Sequence, residues 1–498
     1  MQRFCCLAFI RPRDCHSRKA VGEIKSDVMT QLSTQRAEQQ VFMEFNQLDV
    51  SRSPAQDAPA LRRVLSFWDL IFYGMTTVGP AAPVTVFGLA LFISHGQAIL
   101  SIFIGMIAMI LTAVSYGRMA ALYPSAGSAY TYVACGLHPR MGLVAGWAML
   151  LDYVAMPMFC VIYCSLLARR IVPSIPYAAW AAIFSAAVII FNLCGVRFVA
   201  HVNRVILATT SILFFLFSVL AFHYLVRHGG WLALLSTRPL YDPGTFSWSA
   251  LAAGTSFSAL NYLGFDSVTT LAEDVHNPKR NVPLATIGLI VLVAFFTGIV
   301  IYLGQLVGPD YRTVANIETC FMDVVQRVGG NILFQVFTFS LVLATAASGV
   351  TALTAAARLL FGLGRDDVIP RSIFTRLHLK SETPVVNIVL VGLAGFAGSF
   401  FISYELASEI LVFGAFIGFI AVNLATIRQF YFVGVPGHKA SVFLDLILPA
   451  AAALFCIAIA VGLTKSAVLC GCIWFAVGFF YFLLQSPDSA SGVVSPAE

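Results

Sequence analysis

The chain has 498 residues, of which 59% are hydrophobic and only 11% are charged, and its mean hydropathy is +0.85. This balance is far from that of soluble domains and indicates an integral membrane protein. It also excludes a nucleic-acid-binding role, because no soluble domain offers the basic face that such binding needs.

The two ends of the chain differ from the rest in composition. Residues 1–60 are polar and uneven in charge, which predicts a disordered cytoplasmic tail. Met29 and Met43 are alternative starts, so the sequence leaves open whether the first 28 or 42 residues are translated. Residues 486–498 are small and polar and predict a second disordered cytoplasmic tail. The part between them, residues 61–485, forms the predicted transmembrane domain.

Apolar stretches of membrane-spanning length recur along this domain, since about 20 helical residues cross the hydrocarbon core. They predict an all-α membrane protein of about twelve helices, joined by short loops into one bundle. The predicted spans are 67–93, 98–119, 142–168, 177–195, 204–226, 249–272, 284–307, 332–361, 385–402, 405–432, 442–464 and 467–484.

The distribution of Lys and Arg predicts the orientation. With the N-terminus in the cytoplasm, the inner loops and helix ends carry thirteen Lys and Arg, the outer ones seven, and the N-terminal stretch up to Arg63 ten, which accounts for all 30. This excess places both termini inside under the positive-inside rule. The net charge of +6 then reflects topology rather than a polyanionic partner.

Candidate metal ligands and catalytic groups do not form recognisable sets. The 11 cysteines are odd in number and six lie in apolar runs, without the His or carboxylate neighbours of a metal site. The histidines fall at span ends or in loops, without a nucleophile and acid beside them. The sequence therefore predicts no metal, no cofactor and no enzyme activity.

Two predicted spans are interrupted. The first holds Gly74, Gly79, Pro80 and Pro83 within an apolar segment, and proline removes backbone donors there. The sixth carries Gly264 and Asp266 within residues 260–283, where an aspartate costs roughly 2.5–3.5 kcal/mol on insertion scales. Breaks in helices one and six are typical of transporters with a five-plus-five inverted repeat. The alternative is a pair of ordinary kinks.

Several motifs now suggest a family. The chain resembles permeases of the amino acid, polyamine and organocation superfamily, and its appearance is closest to the bacterial putrescine importers. The similarity covers roughly residues 61–433. The motifs that carry it are SYGRMAALYPSAGSAYTY at 115–132, GWAMLLDYVAMPM at 146–158, LGFDSVTTLAEDVHNPKRNVPLA at 263–285, ASGVTALTAAARLLFGLGRDDVIP at 347–370 and TPVVNIVLVG at 383–392.

The resemblance implies a twelve-helix permease domain, with a five-plus-five inverted repeat, broken helices one and six, and two additional C-terminal helices. It implies alternating access and a substrate held at the two breaks. One departure matters, since many amino acid permeases have Gly-Ser/Thr-Gly at the first break and this chain has TTVGP. The implied substrate-binding residues are Thr76, Thr77, Gly79, Asp152, Tyr153, Tyr262, Gly264, Asp266 and Ser348.

The chemistry of the two acids points to the same region. Asp152 lies about ten residues into the third span, or about 15 Å along the helix axis, near the bilayer midplane. Asp266 adjoins the predicted break in the sixth. Our hypothesis is that at least one of them binds the ammonium of a cationic amine or amino acid, or takes up a coupling proton. The alternative for each is a structural aspartate held by neighbouring backbone.

Function is therefore predicted as import of an amino acid or polyamine, with proton symport favoured over exchange of two solutes. Sodium remains open, since Thr345 and Ser348 offer oxygens. A channel or a transporter-like sensor is a weaker alternative, because no pore-lining repeat or signalling domain is visible. The predicted location is the inner (plasma) membrane, with the lipid bilayer as partner, and the oligomeric state stays open.

Overall fold

All described residues belong to the second of two structural units, Arg63–Glu498, and the first unit, Met1–Arg62, lies outside them. Pro80 and the two predicted tails, residues 1–60 and 486–498, also lie outside. The computed structural model describes residues 65–79, 81–124, 127–193, 196–308, 310–314, 316–365, 369–377 and 383–484.

The described part of the chain is helical, and its only β pairing is one parallel bridge between Leu65 and Val275. It includes two 3-10 helices in the sixth predicted span, Ala259–Tyr262 and Phe265–Asp274, and two π-helices further along the chain, Arg428–Val433 and Val442–Ile447. The α-helices are α1 Phe67–Val78, α2 Ala82–Ile93, α3 Ala98–Leu122, α4 Ser128–Gly136, α5 Pro139–Ile171, α6 Tyr177–Leu193, α7 Val196–Ala233, α8 Trp248–Ser258, α9 Pro278–Val307, α10 Cys320–Arg365, α11 Arg371–Phe374, α12 Val385–Phe401, α13 Tyr404–Ile427, α14 Leu448–Val461 and α15 Lys465–Leu484.

Helix starts follow from local sequence. Pro278 and Pro449 lie in the first turns of α9 and α14, where a missing amide proton costs no helical hydrogen bond. Ser247 and Ser403 cap α8 and α13, and their hydroxyls accept hydrogen bonds from Ala250 N and Leu406 N. The helix boundaries are thus set by capping residues within an otherwise apolar sequence.

Length and apolar composition identify membrane-spanning helices. Seven described helices satisfy both criteria, and α1 with α2 makes an eighth if the bent pair counts as one span. Three more are apolar but shorter: Tyr177–Leu193, Val385–Phe401 and Lys465–Tyr481. The seven are Ala98–Leu122, Pro139–Ile171, Arg204–Ala233, Pro278–Val307, Ile317–Arg365, Tyr404–Val433 and Val442–Val461.

The structure differs from the predicted spans in three places. The stretch 249–272 is not one α-helix, because it changes to 3-10 geometry after Ser258. The span 332–361 is part of the longer α10, which is kinked at Gly330 with φ +69°. The nine-residue α4 was not predicted, since it is too short to give a membrane-length apolar signal.

Apolar side chains lie both inside the bundle and on its surface. Phe214 and Phe217 of α7 are fully buried, whereas Ile212 and Phe215 on the same helix are 66% and 72% exposed. An apolar surface of this kind is what lipid tails contact, because hydrocarbon does not penalise it. One face of α7 therefore packs on the bundle and the other meets the bilayer.

A cluster of charged side chains joins α3 to the π-helix Val442–Ile447, which precedes α14. Arg118 of α3 forms an ion pair with the fully buried Asp445 and stacks 4.1 Å above the ring of Phe430. His438 Nε2 lies 2.9 Å from the same carboxylate, and the Ser441 amide donates to it. A buried carboxylate is costly unless a cation pairs with it and hydrogen bonds satisfy its oxygens, and Asp445 has both.

The close approach of α3 and α9 gives a stability prediction. A Cβ at Gly117 would lie 2.7 Å from Pro283 Cα, so Gly117→Ala forces the two helices apart and should cost about 1–3 kcal/mol. Gly362→Ala in α10 is the control, since its Cβ would meet no atom within 4 Å and alanine favours helix. Melting of the purified variants in detergent should show a lower transition temperature for Gly117→Ala only. Equal transitions would contradict the close approach.

Candidate functional site

The first break ends α1 at Gly79. The hydroxyls of Thr76 and Thr77 donate to the carbonyls of Phe72 and Tyr73, each at 2.9 Å, so they support the last turn of the helix. Gly79 has φ +90°, a conformation that glycine adopts without a Cβ penalty. Pro80 has no amide proton, so the carbonyl of Thr76 has no helical partner beyond the break.

The second break lies at Leu263 and Gly264. Gly264 is left-handed, with φ +99°, and begins the 3-10 helix Phe265–Asp274. The hydroxyls of Ser267 and Thr269 donate to the carbonyls of Gly264 and Asp266, at 2.6 and 2.7 Å. Thr270 donates in the same way to Ser267, at 2.6 Å. Side-chain hydroxyls thus support a tight helix whose own hydrogen-bond geometry is poor.

The two breaks touch. A Cβ at Gly264 would lie 3.3 Å from Thr77 Cγ2 and 3.4 Å from the Thr77 carbonyl. At the other side of the first break, a Cβ at Gly79 would lie 3.1 Å from Ser348 Oγ of α10. The structure therefore brings together four of the predicted site residues around the interrupted backbone.

Asp266 follows the second break and is buried, with 6% of its surface exposed. Its carboxylate lies against the backbone amides of Gly264, Ser267 and Asp266 itself. Backbone amides stabilise the ionised form, as at a helix N-terminus. Backbone amides thus contact this aspartate, as its structural alternative expects. The carboxylate also lies beside the second break, as the functional hypothesis expects.

Asp152 is half-buried in the middle of α5 and lies close enough to Asp266 for their charges to interact. Helix α13 packs tightly behind it, since a Cβ at Gly414 would lie 3.0 Å from the Asp152 amide nitrogen. Tyr153 is half-buried and interacts electrostatically with both carboxylates. Two acids and a phenol thus share one electrostatic environment.

Tyr262 has a different environment from the one its sequence position suggests. Its side chain is 1% exposed, and its hydroxyl donates to the carbonyl of Ile102 at 2.8 Å. A Cβ at Gly105 would lie 3.3 Å from the ring. The phenol thus packs the sixth segment against α3, and no described contact joins it to Asp152 or Asp266. Its role as a substrate ligand stays a prediction.

The hydroxyls considered for a sodium site lie one turn apart on α10. Ser348 donates to the Ala344 carbonyl at 3.2 Å, whereas the Thr345 hydroxyl is buried and has no hydrogen-bond partner among the described residues. Among those residues, no group of three or more His, Cys, Asp or Glu is placed to hold a metal ion.

Sequence reasoning missed three tyrosines that surround Asp266. Tyr73 of α1, Tyr116 of α3 and Tyr132 of α4 each interact with its charge. Two of them lie in the segment 115–132, which served above only as a family motif. Tyrosine at a membrane helix end is common at lipid interfaces, so residue type alone gave no signal.

Long apolar helices, with an interrupted pair that meets at a buried acid, define a multi-pass membrane protein. The profile of the family described as Amino acid permease matches residues 75–486, more than half of the chain. The chain belongs to the amino acid permease family. This confirms the resemblance and makes the protein a membrane transporter rather than an enzyme.

Three relatives show how widely the similarity extends. The low-affinity putrescine importer PlaP of Escherichia coli (strain K12) is 31% identical over 439 residues, covering 86% of this chain and 95% of the relative. The vacuolar cationic amino acid transporter 4 of Arabidopsis thaliana is 27% identical over 410 residues, covering 76% and 66%. The branched-chain amino acid permease BcaP of Bacillus subtilis (strain 168) is 24% identical over 466 residues, covering 86% and 94%.

The contact between the breaks gives a prediction for transport. Gly264→Ala adds a methyl group 3.3 Å from Thr77 Cγ2 at a residue whose φ is +99°. We expect the rate of uptake to fall about tenfold or more, because a displaced break that weakens substrate binding by roughly 1.4 kcal/mol lowers the affinity tenfold. Uptake of labelled substrate per folded protein measures it.

Gly230→Ala provides the control for this change. Gly230 also has a positive φ, +69°, but its Cβ would meet no atom within 4 Å. This control should strain the backbone without altering a contact and should retain uptake. Equal uptake by the two variants would contradict a role for the Gly264 contact.

Proposed function

We propose that the protein is a secondary active transporter that imports an amino acid or a polyamine by alternating access, coupled to protons. The observation that carries the proposal is the meeting of the two breaks beside Asp266, with Asp152 in electrostatic reach. Interrupted helices at a shared midpoint are where carriers of this architecture hold substrate and coupling ion.

The proposed architecture is the full one: twelve transmembrane helices with a five-plus-five inverted repeat, two additional C-terminal helices, and both termini in the cytoplasm. The seven long helices, the bent pair and the three shorter apolar helices supply eleven of these spans. The interrupted segment Trp248–Asp274 is the twelfth in this proposal. The excess of Lys and Arg on one side supports the orientation in an inner membrane. Residues 61–485 form the proposed permease domain, flanked by tails at 1–60 and 486–498.

Each predicted residue has a proposed part. Gly79 and Gly264 open the backbone, so that carbonyls and amides near Thr76, Thr77 and Gly264 face the substrate. Asp152 and Asp266 hold an ammonium or the proton, and Tyr153 contributes a ring face to a cation. Ser348 lies across the first break, and Tyr262 remains a proposed site residue through the position of its backbone at the second break.

The substrate class proposed is a cationic amine or amino acid. Two neighbouring carboxylates, one buried and one half-buried, make a neutral, zwitterionic substrate harder to accommodate than a cation. The relatives named as a putrescine importer and a cationic amino acid transporter support this preference, and the one named as a branched-chain amino acid permease supports the alternative. Exchange of two solutes is the second mechanism, and sodium coupling at Thr345 and Ser348 the third.

Replacing either acid tests the proposal. Asp266→Asn removes the charge but keeps the shape, and we expect uptake driven by a pH gradient in proteoliposomes to fall at least about tenfold, as for a lost ionic hydrogen bond. Asp152→Asn should reduce uptake in the same direction. Normal uptake with an unchanged pH dependence in Asp266→Asn would overturn the proposal.

Glu409→Gln is the matched control. Glu409 is a buried acid of α13 whose carboxylate accepts hydrogen bonds from the amide and hydroxyl of Thr464, away from the breaks. Glutamine keeps a carbonyl acceptor for Thr464. Uptake in this variant should stay close to that of the wild type, which separates loss of any buried acid from loss of these two.

A substrate panel tests the preference for cations. Wild-type protein in proteoliposomes should accumulate putrescine or arginine under an imposed pH gradient, and unlabelled cations should compete better than leucine. Accumulation against the solute gradient also separates a carrier from a channel. Accumulation of zwitterionic amino acids alone would exclude the cationic preference and leave the carrier mechanism intact.

A further inference from the structure

Two fully buried tyrosines lie beside the segment that carries Asp266. We call Tyr116 of α3 and Tyr132 of α4 the tyrosine pair. Their rings meet edge to face with centroids 6.0 Å apart, and the Tyr116 ring lies 5.5 Å from that of Phe265, the neighbour of Asp266. Phe419 of α13 closes the group, at 5.7 Å from Tyr116. The pair is thus fixed against the second break by aromatic packing.

The hydroxyls of the tyrosine pair have no hydrogen-bond partner in the described part of the chain. The Tyr132 hydroxyl lies near Thr269, but the geometry does not make a hydrogen bond. A buried hydroxyl without a partner loses its hydrogen bonds to water and gains none in the protein. Phenylalanine would therefore pack here at least as favourably. Packing explains the rings of the pair but not their hydroxyls.

The tyrosine pair is connected to Asp266 in two ways. Both phenols interact with its charge. Through the backbone, Thr269 donates to the Asp266 carbonyl at 2.7 Å and lies 3.1 Å from the Ser128 hydroxyl, at the start of α4. The backbone of Asp266 is thus linked to the start of α4 through Thr269, and its charge acts on a phenol of α3 and a phenol of α4.

Other titratable groups face this region from each neighbouring element. Helix α1 contributes Tyr73, and α5 contributes Asp152 and Tyr153. Helix α10 contributes the exposed Arg358, which acts on Tyr73, and α14 contributes Cys456, which acts on Tyr116. The Lys279 and Arg280 side chains of α9 are exposed in its first turn. Of the partnerless phenols, the tyrosine pair is the one that acts on Asp266.

We propose that Tyr116 and Tyr132 are positioning residues for Asp266, whose hydroxyls donate hydrogen bonds to its ionised carboxylate during transport, directly or through one water. An ionised carboxylate accepts about four hydrogen bonds, so it has room for them beside the backbone amides. The phenols thereby set the pH at which Asp266 takes up and releases its proton. This inference rests on the proposed function of Asp266.

The pH profile of transport tests the proposal. Tyr116→Phe and Tyr132→Phe remove a donor to the charged form, so Asp266 keeps its proton to higher pH. The midpoint of the Asp266-dependent limb should then move upward by about one pH unit for each variant, and in the same direction whether the limb reports proton uptake or cation binding. Counterflow of labelled putrescine or arginine, with equal pH on both sides, measures the profile from about pH 5 to about pH 8.

Tyr163→Phe is the matched control. Tyr163 of α5 is also fully buried, and its hydroxyl also has no partner in the described residues, but its ring stacks on Tyr404 at 5.2 Å. Its phenol interacts with Cys320, Cys164 and Glu318 rather than with Asp266. Loss of its hydroxyl should leave the profile unmoved.

The outcomes distinguish this inference from the proposed function. Profiles of both pair variants that coincide with those of Tyr163→Phe and the wild type would overturn the inference while Asp266→Asn still impairs uptake. An unchanged Asp266→Asn would instead overturn the proposed function. If one pair variant does not fold, the other decides. A substrate-induced rise in melting temperature, measured over the same pH range, gives a second readout without turnover.

Discussion

The structure depends on one constraint: inside a bilayer, every backbone group that leaves a helix must find a partner within the protein. Lipid offers no hydrogen bonds, so interrupted helices persist only where protein surrounds them or a polar cavity serves them. The breaks at Gly79 and Gly264 meet this condition by contacting each other, with Thr77 between them and Ser348 at the far side. Neither break would be tolerated on the lipid-facing side of α7.

The hydroxyl groups around the breaks follow from the same constraint. Thr76 and Thr77 reinforce the last turn before the first break, and Ser267, Thr269 and Thr270 reinforce the 3-10 helix after the second. Each donates to a carbonyl three or four residues earlier, which uses the hydroxyl proton locally. In the proposed site, the polar atoms left for a substrate are then mainly backbone groups and carboxylates. This favours a ligand recognised by charge.

The sequence predicted the locations of the breaks because they depend on residue types with a local effect. Proline removes an amide, and glycine permits the positive φ found at Gly79 and Gly264. Side-chain directions were harder to predict. Tyr262 and Asp266 are four residues apart and would share a face of an α-helix, but the left-handed Gly264 lies between them. The chain turns there, so Tyr262 packs on α3, whereas Asp266 interacts electrostatically with Asp152, Tyr116 and Tyr132.

Tyr116 and Tyr132 were unpredictable for a related reason. Tyr132 lies near the 3-10 helix because the short helix α4, which gives no membrane-length signal, begins at Ser128, whose hydroxyl lies 3.1 Å from that of Thr269. Tyr116 of α3 joins the group through the edge-to-face contact of its ring with that of Tyr132. Periodicity along one helix does not reveal a contact between three elements. The paired charges of Arg118 and Asp445, 327 residues apart, show the same limit.

The acids inside the bundle differ in the groups that stabilise their carboxylates. Asp445 has a cation, since Arg118 and His438 reach its carboxylate. Glu409 has hydrogen bonds from Thr464. Asp266 has backbone amides, and its charge interacts unfavourably with that of Asp152, the other acid near it. Two like charges without a described counter-cation are costly in a membrane unless a proton or a cation joins them. Under the proposed function, the coupling proton or the cationic substrate supplies this positive charge at the point where both helices are interrupted, and its release makes binding reversible.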